Sequence, residues 1–232
     1  MRPKLVLFGD SITEYSFDEG GWGASLANHF TRRADVILRG YSGYTTRFAL
    51  KIIEKTMEGI GSDEKSPVAA VMVFFGANDA ALPDRHNGFL HVPLAEYQQN
   101  LKSIYAYIKK IWPSAVVIFI TPPPIYEEAR IKNAWLLPEE DTSGLPERTN
   151  EAAGEFAKAC ITIAKECSSP VIDIWSKMQQ VPDWEKSTLS DGLHLAALGN
   201  KVLFEEVLRE LKALGLSDET LPADAPPVES LL

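Results

Sequence analysis

Cysteine is scarce in this chain: Cys160 and Cys167 are the only two in 232 residues. They stand seven positions apart in a helical pattern, which places them on one face about two turns apart, beyond disulfide reach. Reduced core thiols are expected, and with them an intracellular setting. Basic residues are outnumbered, 23 against 32 acidic, for a net charge of -9. With no basic run to lie along phosphates, nucleic acid is not expected as a partner. No stretch reaches the roughly 18 consecutive apolar residues of a membrane span. The opening MRPKLVLFGD lacks the long apolar core of a secretory signal, so a cytoplasmic protein is expected. Of the four histidines, His29 is expected to face solvent from a helix. His86 and His91 sit in a loop at a spacing that suits no tetrahedral zinc site, so no metal is expected. GGWG at 20–23 has neither the third glycine nor the preceding strand of a dinucleotide loop, and no cofactor is implied. There is also no G-x-S-x-G, which argues against the α/β-hydrolase fold.

What the chain does have is 45% apolar residues in an ordered rhythm. Five short runs, at 4–8, 35–38, 68–75, 115–120 and 170–174, are apolar on consecutive positions, as strands covered on both faces should be. Between and after them, apolar residues step by three or four: Ile53, Met57 and Ile60; Tyr97, Leu101, Ile104, Ile108 and Ile111; Phe156, Cys160, Ile163 and Cys167; Val202, Leu203, Val207, Leu208 and Leu211. Alternating strands and helices predict right-handed crossovers and a five-stranded parallel sheet with helices on both faces. Residues 1–216 are expected to form a single domain. The acidic, Pro-rich tail 217–232 is expected to lie outside the sheet, mobile or draped over a surface.

The polar residues fall where such a sheet binds ligands. Ser11 follows the first run, Gly43 the second, Asn78 the third, and Asp191 and His194 come after the fifth, all at or beyond the carboxyl ends of strands. Ser11 alone reads as a helix N-cap. In this company it reads as a nucleophile, with His194 as the base, since an imidazole titrates near neutrality, and Asp191 orienting the ring. The backbone N–H groups of Ser11 and Gly43 and the side-chain amide of Asn78 would supply an oxyanion hole. The bland readings are a left-handed turn for Gly43, an Asx-turn for Asn78 and a surface Asp-Gly turn for Asp191.

FGDS, GYSGYTTR with Gly43, GAND with Asn78 and DGLH with Asp191 and His194 together resemble the SGNH branch of the GDSL esterase/lipase family. A closer resemblance, through GDSIT, GGWGASLA, RGYSGYTTR, FFGANDAAL, HVPLAEYQQNL, ITPPP and LSDGLHL, is to isoamyl acetate-hydrolysing esterases. The resemblance implies a three-layer α/β/α sandwich with a five-stranded parallel sheet of flavodoxin-like type, and cofactor-free hydrolysis of short carboxylic esters through an acyl-enzyme. Catalytic Ser11, Asp191 and His194 and an oxyanion hole of Ser11, Gly43 and Asn78 are carried over residue by residue. The segment 122–146 and the chain beyond about 213 match too loosely to imply anything.

The long loops 80–93 and 122–146 would roof the site. They bring Leu82, Phe89, Leu90, Val92, Ile125, Tyr126, Trp135, Leu136 and Leu137 towards Ser11, which suggests a short apolar pocket for a small-molecule ester; the alternative is that these residues only anchor the loops. Acyl-thioesterase, lysophospholipase or carbohydrate deacetylase activity on the same machinery is the second reading, and a catalytically silent binding module the third. A homodimer docked through the terminal PPVESLL is the assembly considered.

Overall fold

The computed structural model describes residues 2–61, 66–133, 144–226 and 228–231. Five parallel strands, β1 (Lys4–Gly9), β2 (Asp35–Gly40), β3 (Val68–Phe74), β4 (Val116–Ile120) and β5 (Val171–Ile172), form one sheet in the order β2-β1-β3-β4-β5. This is the flavodoxin-like order expected, with the direction of winding reversing between β1 and β3.

Side chains alternate across a strand, so the consecutive apolar runs feed two cores. Val6, Phe8, Val71, Val73, Val117 and Phe119 point to one. It is covered by α3 (Thr46–Met57), α4 (Leu94–Ile111) and α6 (Asn150–Glu166), through residues such as Ile53, Leu101, Ile104, Phe156 and Ile163. Leu5, Leu7, Met72, Phe74, Ile118 and Ile120 point to the other. Trp22 and Leu26 of α2 (Trp22–His29) close that side together with Leu203, Val207 and Leu211 of α9 (Ala197–Ala213), the helix after the short α8 (Trp184–Ser187). Cys160 is buried in the first core and Cys167 packs against it, both as free thiols.

Two local expectations need correction. The fifth run is a strand only at Val171–Ile172, because the carboxylate of Asp173 accepts the N–H of Ser176 and starts helix α7 (Ile174–Met178) inside the apolar run. His29 does not face solvent: it is half-buried, its ring edge-on to Phe30 and Phe204. The cap reading that Ser11 invites when taken alone does not hold either. Asp10 takes that role in α1 (Ser11–Glu14), accepting the N–H of Ile12 at 3.0 Å.

The chain after α9 crosses a basic edge of the molecule. Arg33 donates to the carbonyl of Leu221, Arg32 to those of Ala225 and Pro226, and Arg2 and Arg32 pair with Asp224. Among the described residues no helix is long and apolar enough to cross a membrane.

Candidate active site

Gly9 lets the first strand turn directly into α1. A Cβ there would lie 2.1 Å from Thr13 Oγ1 and 2.5 Å from the carbonyl oxygen of Phe74, distances no side chain tolerates. Asp10 then caps α1 and Ser11 becomes its first residue. The Ser11 N–H is one of the helix-start donors without an intrahelical acceptor, and its hydroxyl is spared from capping. Ser11 Oγ lies 2.9 Å from His194 Nε2, and His194 Nδ1 lies 2.9 Å from Asp191 Oδ2.

Those two partners are fixed by a tight loop. Asp191 Oδ1 accepts the N–H groups of Leu193 (3.0 Å) and His194 (2.8 Å), and the Ser190 N–H donates to the carbonyl of His194 at 2.8 Å. Gly192 sits at φ +90, a conformation L side chains rarely adopt, with the Tyr126 carbonyl oxygen 2.5 Å from where its Cβ would be. The Asp-Gly turn thus faces inward. Burial opposes ionisation of Asp191, but the hydrogen bond and charge of His194, the backbone donors and Arg130 outweigh it and hold the carboxyl well below the usual carboxylate range. An anionic Asp191 keeps the proton of the ring on Nδ1 and leaves Nε2 to accept from Ser11.

Gly43 lies in the turn closed by Tyr44 N–H to the Tyr41 carbonyl (3.1 Å), at φ +76 with open space where a Cβ would go. The backbone conformation, not crowding, is what asks for glycine here. Asn78 does not form an Asx-turn: its Nδ2 donates to the Tyr44 carbonyl (3.0 Å) and its Oδ1 accepts from Arg148 Nη2 (3.0 Å). Ser11, Gly43, Asn78 and His194 share a cavity of about 420 Å³. All five expected site residues therefore converge, Asp191 from behind the imidazole.

The roof is only partly as expected. Phe89 and Leu90 do line the cavity, joined by Tyr44, Phe48 and Leu193. Val92 and Ile125 are buried in the two cores and Tyr126 packs against the second, so these anchor their loops. Residues 135–137 lie outside the described residues. Sequence reasoning singled out neither the buried Glu147 and Arg148 nor Arg130. Arg130 and Arg148 both reach the cavity wall.

Two further acids are buried beside the site. Asp79 accepts the N–H of Thr46 through both oxygens (3.0 and 3.1 Å) and its hydroxyl as well. Asp10 has Oδ2 buried with no hydrogen-bond partner among the described residues. Burial pushes both carboxyls up from 3.8 to about 7, the charge of Asp10 adding to the effect on Asp79. An acid whose folded pKa lies above its unfolded one binds more protons in the native state. These groups thus favour folding at low pH and lose that contribution as pH rises from about 4 to 7. Asn at position 10 still caps α1 and cannot ionise. The Tm of Asp10→Asn minus that of the parent should be several degrees more positive at pH 8 than at pH 5; an equal difference at both pH values would contradict the assignment.

Comparison with known proteins bears on the whole arrangement. Residues 5–207 match the family model of the GDSL-like lipases/acylhydrolases. A GDSL esterase/lipase of Arabidopsis thaliana is 57% identical over 231 residues, covering 100% of this chain and 95% of its own. The human isoamyl acetate-hydrolyzing esterase 1 homolog is 47% identical over 207 residues, 88% of this chain and 79% of its own. Among solved structures, the lipase/acylhydrolase of Enterococcus faecalis superposes with a TM-score of 0.68 at 29% identity, covering 97% of this chain and 100% of that one. An acetylxylan esterase of Geobacillus stearothermophilus does so at 0.68 and 22% identity, covering 90% and 94%, a likeness of fold alone. With its family model matched across both cores and the Ser-His-Asp loops, and relatives near half identity over almost its full length, the chain belongs to the GDSL-like lipase/acylhydrolase family and is a carboxylic ester hydrolase.

Proposed function

We propose that the protein is a serine esterase that cleaves short-chain esters, acetates of small and medium alcohols above all, through an acyl-enzyme on Ser11. The observation that carries this reading is the 2.9 Å and 2.9 Å line from Ser11 Oγ through His194 to Asp191 at a cavity that also holds Gly43 and Asn78. Ser11 Oγ attacks the ester carbonyl as His194 Nε2 takes its proton. The N–H groups of Ser11 and Gly43 and the Asn78 amide receive the oxyanion. His194 returns the proton to the departing alcohol, and water, deprotonated by the same nitrogen, then releases the acid.

If Asn78 donates to the oxyanion, its bond matters mainly in the transition state. Asn78→Ala should then lower kcat by about a hundredfold or more with little change in KM. A change confined to KM would make Asn78 a ground-state contact instead.

Substrate size follows from the walls. Phe48, Phe89, Leu90 and Leu193 offer apolar surface, where each buried methylene is worth about 0.8 kcal/mol. A cavity of about 420 Å³ nevertheless sits near the small end of the roughly 300–1,000 Å³ typical of ligand sites. The relatives named for isoamyl acetate hydrolysis agree with a small ester. Across p-nitrophenyl and alkyl esters from acetate to decanoate, kcat/KM should be highest at acetyl to butyryl and fall steeply beyond about six acyl carbons, as overpacking outweighs burial. A rate that climbs to decanoate would overturn the short pocket and favour a lipase or acyl-thioesterase.

A further inference from the structure

Behind the cavity, hydrogen bonds run without a break from Asp191 to Asn78. Arg130, on α5 (Glu127–Asn133), donates from Nη1 to Asp191 Oδ2 at 2.9 Å and from Nε to Glu147 Oε1 at 2.9 Å. The same Glu147 oxygen accepts Arg148 Nη1 at 2.7 Å. Arg148 donates onward from Nε to the Ala77 carbonyl at 2.8 Å and from Nη2 to Asn78 Oδ1 at 3.0 Å. The side chains of Glu147 and Arg148 are each 4% exposed and that of Arg130 is 13% exposed. Two guanidiniums face two carboxylates, so the arginines' charge is neutralised within the protein and the cluster is no anion site for substrate.

The ends of the chain have specific chemistry. A guanidinium has donors but no acceptor, so the Asn78 atom facing Arg148 must be the carbonyl oxygen. That fixes the amide: Nδ2 points the other way, one hydrogen to the Tyr44 carbonyl and the second left for an oxyanion. At the opposite end, the oxygen of Asp191 that meets His194 is the one Arg130 also holds.

We propose that Arg148 is a positioning residue for the Asn78 amide and Arg130 one for the Asp191 carboxylate, with Glu147 joining them so that the oxyanion hole and the triad are held as one unit. This rests on the serine-esterase reading above. Lysine keeps the charge of Arg148 but, as a point donor on a flexible stem, cannot span Ala77, Glu147 and Asn78 together.

A double-mutant cycle on p-nitrophenyl acetate tests it, using the parent, Asn78→Ala, Arg148→Lys and the double variant. Arg148→Lys should lower kcat about tenfold or more with KM nearly constant, and the double variant should be within about twofold of Asn78→Ala, because the arginine acts through the amide. Losses that multiply in the double variant, or an effect on KM alone, would overturn the proposal. Should Arg148→Lys fail to fold, Arg130→Gln at the less buried end carries the same cycle against Asp191→Asn, with the same non-additivity expected and multiplication again contradicting it. Full activity in Asn78→Ala would instead remove the reading on which the relay stands, so the two failures are distinct.

Discussion

Ser11→Ala is expected to reduce ester hydrolysis by roughly four to six orders of magnitude, to what binding and the oxyanion donors alone supply. The loss is chemical, because the hydroxyl 2.9 Å from His194 Nε2 is the one atom of the site that forms a bond to the acyl group in the proposed mechanism. The fold should survive. The N-cap bond belongs to Asp10, not to Ser11, alanine is the best helix former, and what disappears is one side-chain hydrogen bond worth about 1 kcal/mol. Circular dichroism and Tm should therefore match the parent to within a few degrees. Activity within tenfold of the parent would contradict the mechanism.

Asp191→Asn is the second large effect, about a thousandfold to ten-thousandfold in kcat with KM little changed. The carboxylate accepts on every side: Leu193 and His194 N–H at Oδ1, and His194 Nδ1 and Arg130 Nη1 at Oδ2. An asparagine must put its NH₂ on one of those sides. Facing the backbone N–H groups or Arg130, it sets donor against donor. Facing the imidazole, it stabilises the tautomer protonated at Nε2, which cannot take the Ser11 proton. Steady-state rates on p-nitrophenyl acetate check this, and a kcat within tenfold of the parent would mean that Asp191 is a turn residue only.

Much of this site was legible in the sequence because each of its expected members stands just beyond a strand or in a turn with a local signal. Residues 4–8 read as buried strand from composition alone, and GDS, GYSGY, GAND and DGLH mark the ends where chains reverse. Local signals fail where two neighbours compete for one role. Asp10 and Ser11 are both good caps, and which one caps depends on where β1 ends, which the close packing of Gly9 against Thr13 and Phe74 decides. In the same way Asp173, the one charged residue within 170–174, ends β5 early by capping the helix that follows.

The Arg130, Glu147 and Arg148 relay was not legible. In LPERTN nothing at short range says that Arg148 is buried against Asn78, 70 positions away. The available hint is local: Thr149 caps α6 by accepting the N–H of Ala152, so Glu147 and Arg148 lie on the approach to a helix whose start is packed at the sheet edge. Only the tertiary fold supplies their partners. Phe89, by contrast, was rightly placed at the cavity, yet it stays 74% exposed, because nothing among the described residues covers it from outside.

An activated serine reacts with a phosphonylating probe as an ordinary serine does not. Incubating the protein with a fluorophosphonate and determining the mass and the modified residue should show one adduct per chain, on Ser11, with esterase activity lost in proportion and no adduct on Ser11→Ala. An active enzyme that remains unlabelled, or an adduct on any other residue that tracks the loss of activity, would contradict the account.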